Sequence, residues 1–304
     1  MKKKFKLILF SLLSILLITP ILSSTTVFCS ENEYLKLDFT NTDTLPKNFR
    51  KTSDLSNFNG KEVNLSGLKE LNMSGSSEFT ALSLIKLKKA IDTDMTIIDI
   101  DLRQESHGFI NGNAVSWYTK GDKGNAGLSL EEVTKRENAE LASIPFGKEL
   151  SLDKGKLTIV PTVVENEDKL VTSNNIKYFR IPVTDGKRPT DLMVDRFMEF
   201  VLTQPENTWL HFHCKHGIGR TTTFMLLYDI VKNAKNVSLE DLMERQVILG
   251  GKNLLESKGT KRVEFIKDFY KYAKENDDDF KTTWTEWVKQ NKITPYTLED
   301  EVSK

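Results

Sequence analysis

Cysteine is scarce in this sequence: the 304 residues contain only two, Cys29 and Cys214. Cys29 lies at the end of an N-terminal leader, described below, whose processing we expect to remove it or to leave it at the new terminus. The folded domain then retains one thiol, which excludes an internal disulfide. Oxidising compartments favour paired cysteines or none, so a single retained thiol indicates a reactive group.

A strong excess of charge of either sign is also missing. Lys and Arg together number 43, as do Asp and Glu, and removal of the four lysines of the leader leaves a net charge of −4. No global basic character therefore indicates nucleic acid as a partner, and any site for an anionic ligand must be local. Repeats and low-complexity tracts are absent too, and the composition, with 38% hydrophobic residues, is typical of a globular protein.

The longest hydrophobic run lies in residues 1–30. A basic segment, MKKKFK, precedes an uncharged run from Leu7 to Phe28 that ends in small and hydroxyl residues. This order is typical of a secretory signal peptide. An uncleaved membrane anchor is the alternative, but Pro20 and the Ser/Thr-rich end favour cleavage, and Phe28 disfavours lipid attachment at Cys29. We expect a secreted or cell-envelope protein whose mature form has no membrane segment.

The remaining chain, residues 31–304, alternates helix and strand patterns. The first part, 31–64, is polar and irregular, and a glycine-rich loop is predicted over 103–127. Strands are predicted at 95–102, 156–164, 177–183 and 208–213, and helices at 79–91, 129–143, 189–204, 221–234, 239–248, 260–275 and 281–290. This order predicts an α/β domain with helices on a central sheet. The β-rich region around 146–176, together with the N-terminal segment, is expected to form a small insertion or subdomain.

The stretch WLHFHCKHGIGRTTT, residues 209–223, concentrates reactive residue types. An apolar strand ends just before Cys214, two spaced glycines follow, and a helix begins near Arg220. In such a turn the inward backbone amides and the positive end of the helix favour an anion and a thiolate. Arg220 adds a planar fork that matches phosphate oxygens. The residues thus predict phosphoryl transfer through Cys214; the alternative is a core cysteine before a plain turn.

The segment HCKHGIGRT, residues 213–221, resembles the HCX5R(S/T) phosphate loop of the protein-tyrosine-phosphatase superfamily. Other matching segments indicate one branch, the bacterial protein-tyrosine-phosphatase-like phytases, or cysteine phytases. They include NFR (48–50), DLRQESHGFINGNAVSWY (101–118), YFRIPVTDGKRPT (178–190), RQVILGG (245–251) and FYKYAKEN (269–276). The resemblance covers most of the mature chain. It implies the fold of this superfamily, a central sheet flanked by helices, with a partial β-barrel as the small β-rich subdomain.

The resemblance also implies a role for each matching residue. Cys214 is the nucleophile, and Arg220 with the loop amides binds the phosphoryl oxygens. Asp185 in the TDGKRP loop is the general acid, although Asp-Gly alone is also a turn signal. Thr221 stabilises the departing thiolate, and His213 orients and tunes Cys214 from behind, unless it is a plain core histidine. The loop residues that surround the phosphate are Lys215, His216, Gly217, Ile218 and Gly219.

Three positions depart from the family pattern. Lys215 and His216 stand where an acidic and a small residue are frequent, and Arg188 stands where a tryptophan often precedes the proline. All three can add positive charge at the rim of the site, which suits a polyanionic substrate. Further basic residues are candidates for contacts with the outer phosphates, although ordinary surface charge or a loop histidine explains them as well. These candidates are Arg50, Arg103, His107 and Lys187.

The sequence therefore predicts an exported phosphatase, without metal or cofactor, that hydrolyses phosphomonoesters of myo-inositol hexakisphosphate and other inositol polyphosphates. A phosphotyrosine or phosphoinositide phosphatase is the alternative with the same chemistry. A non-catalytic module that binds a phosphorylated ligand is the alternative of another class, which the complete set of Cys214, Arg220 and Asp185 disfavours. The expected partner is a small polyanion rather than nucleic acid or membrane, and no oligomeric state is implied.

Overall fold

The structure, a computed structural model, describes residues 33–256 and 261–302. The predicted signal peptide, residues 1–30, lies outside this part of the chain. Within the described residues, no helix combines the length and the apolar character that crossing a bilayer requires. The strands are β1 (Tyr34–Phe39), β2 (Arg50–Lys51), β3 (Met73–Ser77), β4 (Thr96–Arg103), β5 (His107–Ile110), β6 (Asn113–Tyr118), β7 (Leu150–Leu152), β8 (Leu157–Ile159), β9 (Val164–Glu165), β10 (Lys177–Val183) and β11 (Thr208–Cys214). The α-helices are α1 (Ala81–Ile91), α2 (Leu130–Ala142), α3 (Glu167–Ser173), α4 (Asp191–Thr203), α5 (Gly219–Asn233), α6 (Leu239–Ile248), α7 (Arg262–Glu275), α8 (Trp284–Gln290) and α9 (Leu298–Val302).

The central sheet has the strand order β10-β4-β11-β3-β2. Its first four strands run parallel, and β2 pairs antiparallel with β3 at the edge. Parallel strands end at one edge of a sheet, and ligands of such sheets bind in the crevice at that edge. The carboxyl ends of β3, β4, β10 and β11 therefore meet where the phosphate loop begins.

Side chains of β11 alternate between two apolar layers, one on each face of the sheet. Phe212 and Cys214 belong to the larger core, together with residues of α4, α5 and α7. Trp209 points to the other face and packs in a smaller core with residues of α1, β5 and α3. Both faces of the sheet are covered, but only the face toward the larger core is mainly apolar; the other face also carries buried polar side chains, among them Asp99, Asp101 and His213. The predicted α/β class, with a central sheet between helices, is confirmed.

A second, antiparallel sheet has the order β1-β6-β5-β9, and β7 and β8 form a separate hairpin. Two predictions are wrong here: residues 31–64 contain β1, and the predicted loop over 103–127 contains the β5–β6 hairpin. Its two-residue turn is Asn111-Gly112, with φ of 52° and 77°. Asn-Gly between apolar residues is a strong hairpin signal, so the sequence contained the information. The high local glycine content obscured it.

The longer helices lie where the sequence predicts them, with ends that differ by a few residues. A capping box of Ser129 and Glu132 begins α2: each side chain bonds the backbone of the other. Two short helices, α3 and α9, were not predicted, because elements of this length show too little periodicity to identify. Of these, α3 matters for the site, since it lies against β10 and carries a carboxylate toward β11.

Candidate active site

The phosphate loop joins the end of β11 to the start of α5. Ile218 is the N-cap residue of α5 and makes no side-chain capping hydrogen bond. The first amides of a helix have no partner within the helix. Without a side-chain cap these amides remain available to an anion in the loop, and the helix dipole adds to the attraction.

Contacts from neighbouring segments hold this loop in place. Gly217 has a φ of +70°, and a Cβ atom on it would lie 2.3 Å from the Ser77 nitrogen, so only glycine fits. The carbonyl oxygen of Gly217 accepts a hydrogen bond from Arg50 Nη1 at 2.8 Å. On the β3 side, the Glu78 amide donates to the Cys214 carbonyl oxygen at 2.8 Å. These contacts restrain the backbone of the loop.

The Cys214 sulfur lies buried at the floor of the loop and accepts a hydrogen bond from the Thr221 hydroxyl at 3.2 Å. Burial by itself would raise the pKa of this thiol. The charge of Arg220 and hydrogen bonds from Thr221 and the Gly217 amide outweigh burial, and the pKa of Cys214 is lowered from its ordinary value. The environment therefore favours the thiolate, which is the nucleophilic form.

Glu105 fixes the orientation of Arg220. The guanidinium donates two hydrogen bonds to the carboxylate, from Nη1 at 2.7 Å and from Nη2 at 2.9 Å, a bidentate geometry that restricts rotation. Burial would raise the pKa of Glu105, but the charges of Arg220 and Arg103 lower it, so the carboxylate is ionised. Glu105 was not among the predicted site residues, although it lies within the DLRQESHG segment that indicated the family.

Asp185 lies in the loop between β10 and α4. Its Oδ1 is 3.2 Å from Arg220 Nη2, and its side chain is 47% exposed. The next residue, Gly186, has a φ of +76°, and the Lys187 amide closes the turn by donating to the Thr184 carbonyl oxygen at 3.0 Å. The turn is therefore present, and it places the Asp185 carboxylate beside Arg220 at the mouth of the loop.

Three of the four residues predicted to contact the outer phosphates bind other groups of the protein instead. Arg103 is fully buried and binds the carboxylates of Asp38, Glu78 and Glu105. His107 is buried as well, with Glu167 Oε2 at 3.1 Å from its Nε2. Neither side chain presents an edge to a ligand in the loop, so this part of the prediction is wrong.

Arg50 is also buried, and it supports the loop from behind rather than reaching toward an outer phosphate. Besides Gly217, it binds the Thr222 hydroxyl through Nη2 at 3.1 Å. Burial lowers the pKa of Arg50 to about 10, so the guanidinium stays charged near neutral pH. The fourth candidate, Lys187, is half-buried in the Asp185 loop.

Two of the three expected rim charges are buried and neutralised. Lys215 Nζ lies 3.0 Å from Asp38 Oδ1 and 3.2 Å from Asp122 Oδ2. Arg188 binds Asp191 at 3.0 Å and stacks between the rings of Phe265 and Tyr296. Both residues therefore stabilise the fold around the site. His216 is exposed, as expected, and its carbonyl oxygen is held by Asn48 Nδ2 at 2.8 Å.

Three further basic residues, which the sequence did not single out, lie around the phosphate loop: Lys36, Lys47 and Arg262. A groove of about 270 Å³ beside the phosphate loop is bordered by Lys36, Lys47 and His216. On the Asp185 side, Arg262 donates to the Lys187 carbonyl oxygen. Burial and then the nearby charge of Arg220 lower the pKa of Arg262. These residues come from β1, from the segment before β2 and from the start of α7, so no single motif contains them.

Behind the loop, on the opposite face of β11, buried carboxylates lie close to His213. Ligand-type atoms of Glu78, Glu167 and His213 lie within 4.8 Å of one another. These groups already have counter-charges: Glu78 pairs with Arg103, and His213 Nε2 lies 2.7 Å from Glu167 Oε1. The contacts are those of an ion-pair network, and we assign no metal to them.

Comparisons with known proteins agree with this geometry. The family model for protein-tyrosine-phosphatase-like phytases, described by the words "Inositol hexakisphosphate", matches residues 100–232. A PTP-like phytase structure from Bdellovibrio bacteriovorus is 34% identical, with a TM-score of 0.71 over 84% of this chain and 94% of that one. A PTP-like myo-inositol phosphatase from Mitsuokella multacida, solved with myo-inositol-(1,3,4,5)-tetrakisphosphate, is 37% identical, with a TM-score of 0.75 over 85% of this chain and 49% of that one.

Among curated proteins, the effector protein hopD2 of Pseudomonas syringae pv. tomato is 32% identical over 265 residues. The match covers 79% of this chain and 56% of hopD2. The chain thus spans about half the length of hopD2 and of the Mitsuokella protein, and nearly all of the Bdellovibrio structure.

Proposed function

Because the chain belongs to the protein-tyrosine-phosphatase-like phytase family, we propose that it hydrolyses phosphomonoesters of inositol polyphosphates, including myo-inositol hexakisphosphate, through a phosphocysteine intermediate. One observation carries the proposal: a thiol of lowered pKa, an oriented arginine and a half-exposed carboxylate converge on one loop. These are the nucleophile, the oxyanion stabiliser and the proton donor that covalent phosphoryl transfer requires.

In the first step the Cys214 sulfur attacks phosphorus in line, and the bond from phosphorus to the inositol oxygen breaks. Arg220 and the loop amides stabilise the charge on the equatorial oxygens. Asp185, in its protonated form, gives its proton to the leaving oxygen, so the inositol departs as a neutral hydroxyl. The product of this step is phosphocysteine, with Asp185 ionised.

In the second step water attacks the phosphocysteine and the bond from phosphorus to sulfur breaks. The Asp185 carboxylate accepts a proton from the attacking water, which restores the acid for the next cycle. The Cys214 thiolate leaves with the Thr221 hydroxyl as its hydrogen-bond donor, at the 3.2 Å distance seen here. Inorganic phosphate is then free to dissociate.

The rim of the site supports a polyanionic substrate. Lys36, Lys47 and His216 border the groove on one side of the loop, and Arg262 lies on the Asp185 side. An inositol ring with one phosphate in the loop directs its other phosphates outward, where Lys36 and Lys47 can pair with them. Burial and the charge of Lys215 lower the pKa of His216, so this side chain contributes as a hydrogen-bond donor. The Mitsuokella phosphatase, solved with an inositol tetrakisphosphate, supports the same class of substrate.

Phosphate release from three substrates tests the proposal. With a chelator present, we expect the full chain to act faster on myo-inositol hexakisphosphate than on a phosphotyrosine peptide or a phosphoinositide in vesicles. A preference for the peptide or the lipid would overturn the substrate class. No release from any of the three by a folded protein, with retained binding of inositol hexakisphosphate, would identify a binding module.

Loss of a rim charge is expected to affect binding of the large anion alone. Lys47→Gln should raise KM for inositol hexakisphosphate about three- to tenfold, because each lost ion pair weakens binding by up to about 1.4 kcal/mol. KM for p-nitrophenyl phosphate should hardly change, since its single phosphate occupies the loop.

The matched control for Lys47 is Lys69→Gln. Lys69 is exposed and precedes the amino end of β3, at the edge of the sheet opposite the phosphate loop. The Lys69→Gln substitution should leave KM for both substrates unchanged. Salt should shrink the effect of Lys47→Gln, because added ions screen exposed charges; equal KM changes in the two variants would rule out a local contact.

A further inference from the structure

His213 lies directly before the nucleophile on β11, but its side chain points to the opposite face of the sheet. The ring is fully buried. Its Nε2 lies 2.7 Å from Glu167 Oε1 and 3.4 Å from Asp99 Oδ2. Glu167 is the first residue of α3, so a helix that takes no part in the phosphate loop brings a carboxylate to the residue behind the thiol.

A second histidine on the same strand provides an internal comparison. His211 is equally buried, and its ring stacks parallel to that of His213 at 6.3 Å. Its two ring nitrogens face hydroxyls, Ser74 Oγ at 2.9 Å and Ser76 Oγ at 3.1 Å. Burial and then the charge of His213 lower the pKa of His211, whereas Glu167 and Asp99 overcome burial and raise the pKa of His213.

Other charged groups surround this imidazole. Glu78, which follows β3, and Asp101 of β4 both interact electrostatically with it. Glu167 uses its second oxygen to accept a hydrogen bond from His107 Nε2 at 3.1 Å. The charges that act most strongly on His213 are the carboxylates of Glu167 and Asp99, and these favour its protonated form.

We propose that Glu167 is a positioning residue for the reaction, because its carboxylate keeps a proton on His213 Nε2 and the resulting imidazolium lies behind the Cys214 thiolate and stabilises it. His213 is adjacent to Cys214 in the chain, and Glu167 contacts Nε2, the ring nitrogen farther from the His213 backbone, so we place the positive end of this ion pair nearer to the nucleophile. The inference rests on the proposed function, in which Cys214 attacks as a thiolate. Arg220 acts on the thiolate from inside the loop, and His213 acts through the sheet.

The order of the two charges explains why a neutral Glu167–His213 pair would stabilise the thiolate less. A buried ion pair acts over short distances with little solvent screening, so a cation near sulfur and an anion farther away favour the thiolate. Without the Glu167 charge, burial disfavours the imidazolium, the proton leaves, and the field at sulfur falls. The effect should be smaller than that of Arg220, because the His213 ring lies on the opposite face of the sheet from the sulfur.

The first test measures the pKa of the Cys214 thiol in the full chain, without substrate, from the rate at which iodoacetamide alkylates the peptide that contains Cys214 as a function of pH. In Glu167→Gln, which keeps the shape and a hydrogen-bonding oxygen, the midpoint should move to higher pH. Below the midpoint the rate should be about three- to tenfold lower than in the wild type, while the plateau at high pH, which reports access, stays the same.

The matched control is Glu137→Gln. Glu137 is another buried carboxylate, bound to Arg180 Nη1 at 2.8 Å and close to His107, but without contact to His213. The Glu137→Gln substitution should leave the alkylation midpoint at the pH found for the wild type. Equal midpoint shifts in the two variants, or none in Glu167→Gln, would overturn the proposal.

A second measurement remains decisive if Glu167→Gln does not fold. The chain contains four histidines, so nitrogen-15 spectra of labelled imidazoles can be assigned. In the wild type near pH 7 His213 should be protonated on both nitrogens and His211 on one. A neutral His213 would overturn the proposal. Neither measurement needs turnover. If His213 is protonated and the alkylation midpoint shifts in Glu167→Gln, but the wild type hydrolyses none of the substrates, the result contradicts the proposed function alone.

Discussion

Cys214→Ser is expected to reduce hydrolysis of inositol hexakisphosphate by about 10⁵-fold or more, as loss of a covalent nucleophile does in other enzymes. The loop lowers the pKa of the Cys214 thiol and so increases the fraction present as the anion. A serine hydroxyl begins from a far higher pKa, and the same field leaves it neutral. Phosphate release at saturating substrate measures the loss.

Binding supplies the control for this variant. The loop amides, Arg220 and the rim cations are all unchanged in Cys214→Ser, and loss of the thiolate charge even favours an anionic ligand. Calorimetry should therefore show inositol hexakisphosphate binding at least as tightly as to the wild type. Hydrolysis within tenfold of the wild type would falsify the phosphocysteine mechanism, and loss of both binding and hydrolysis would indicate a damaged fold.

Asp185→Asn is expected to have an effect that depends on the leaving group. An inositol alkoxide leaves poorly without a proton, so kcat on inositol hexakisphosphate should fall about 10²- to 10⁴-fold, the usual contribution of general acid catalysis. The p-nitrophenolate ion leaves readily without a proton. Its release should fall much less, as long as cysteine phosphorylation limits the rate.

Comparison of the two substrates separates acid catalysis from structure. Asparagine has nearly the shape of aspartate, and the side chain is half-exposed, so the TDG turn should persist. A defect of the fold would lower both rates together. If both substrates lose the same factor at unchanged affinity, the acid lies elsewhere and Asp185 is only a turn residue.

Much of the fold could be predicted from local patterns. The strand at β11, the capping box of α2 and the amphipathic helices α4 to α7 follow from apolar spacing and capping residues, which act over a few positions. The β5–β6 hairpin was not predicted, although Asn111-Gly112 is a hairpin signal. Its pairing with β1 and β9 connects segments far apart in sequence, and no local pattern indicates which distant strands will pair.

The sequence by itself determined the chemistry at the centre of the site. Cys214, Gly217, Arg220 and Thr221 lie in one short segment between a strand and a helix, and backbone geometry alone brings their functional atoms together. For this reason Cys214 could be predicted as the nucleophile, and the loop as an anion site, without a structure. Asp185 was identified by resemblance, and its place beside Arg220 is a tertiary result.

Only the tertiary structure decided which charged residues face a ligand and which face each other. Lys215 and Lys47 are both lysines near the loop, yet Lys215 pairs with Asp38 and Asp122 in the interior, while Lys47 is exposed on the groove. Glu105 and Glu167 likewise reach the site from outside the motif. A buried charge requires a counter-charge, and its partner comes from whichever segment the fold packs against it, so long-range packing determines the role of each ionised side chain.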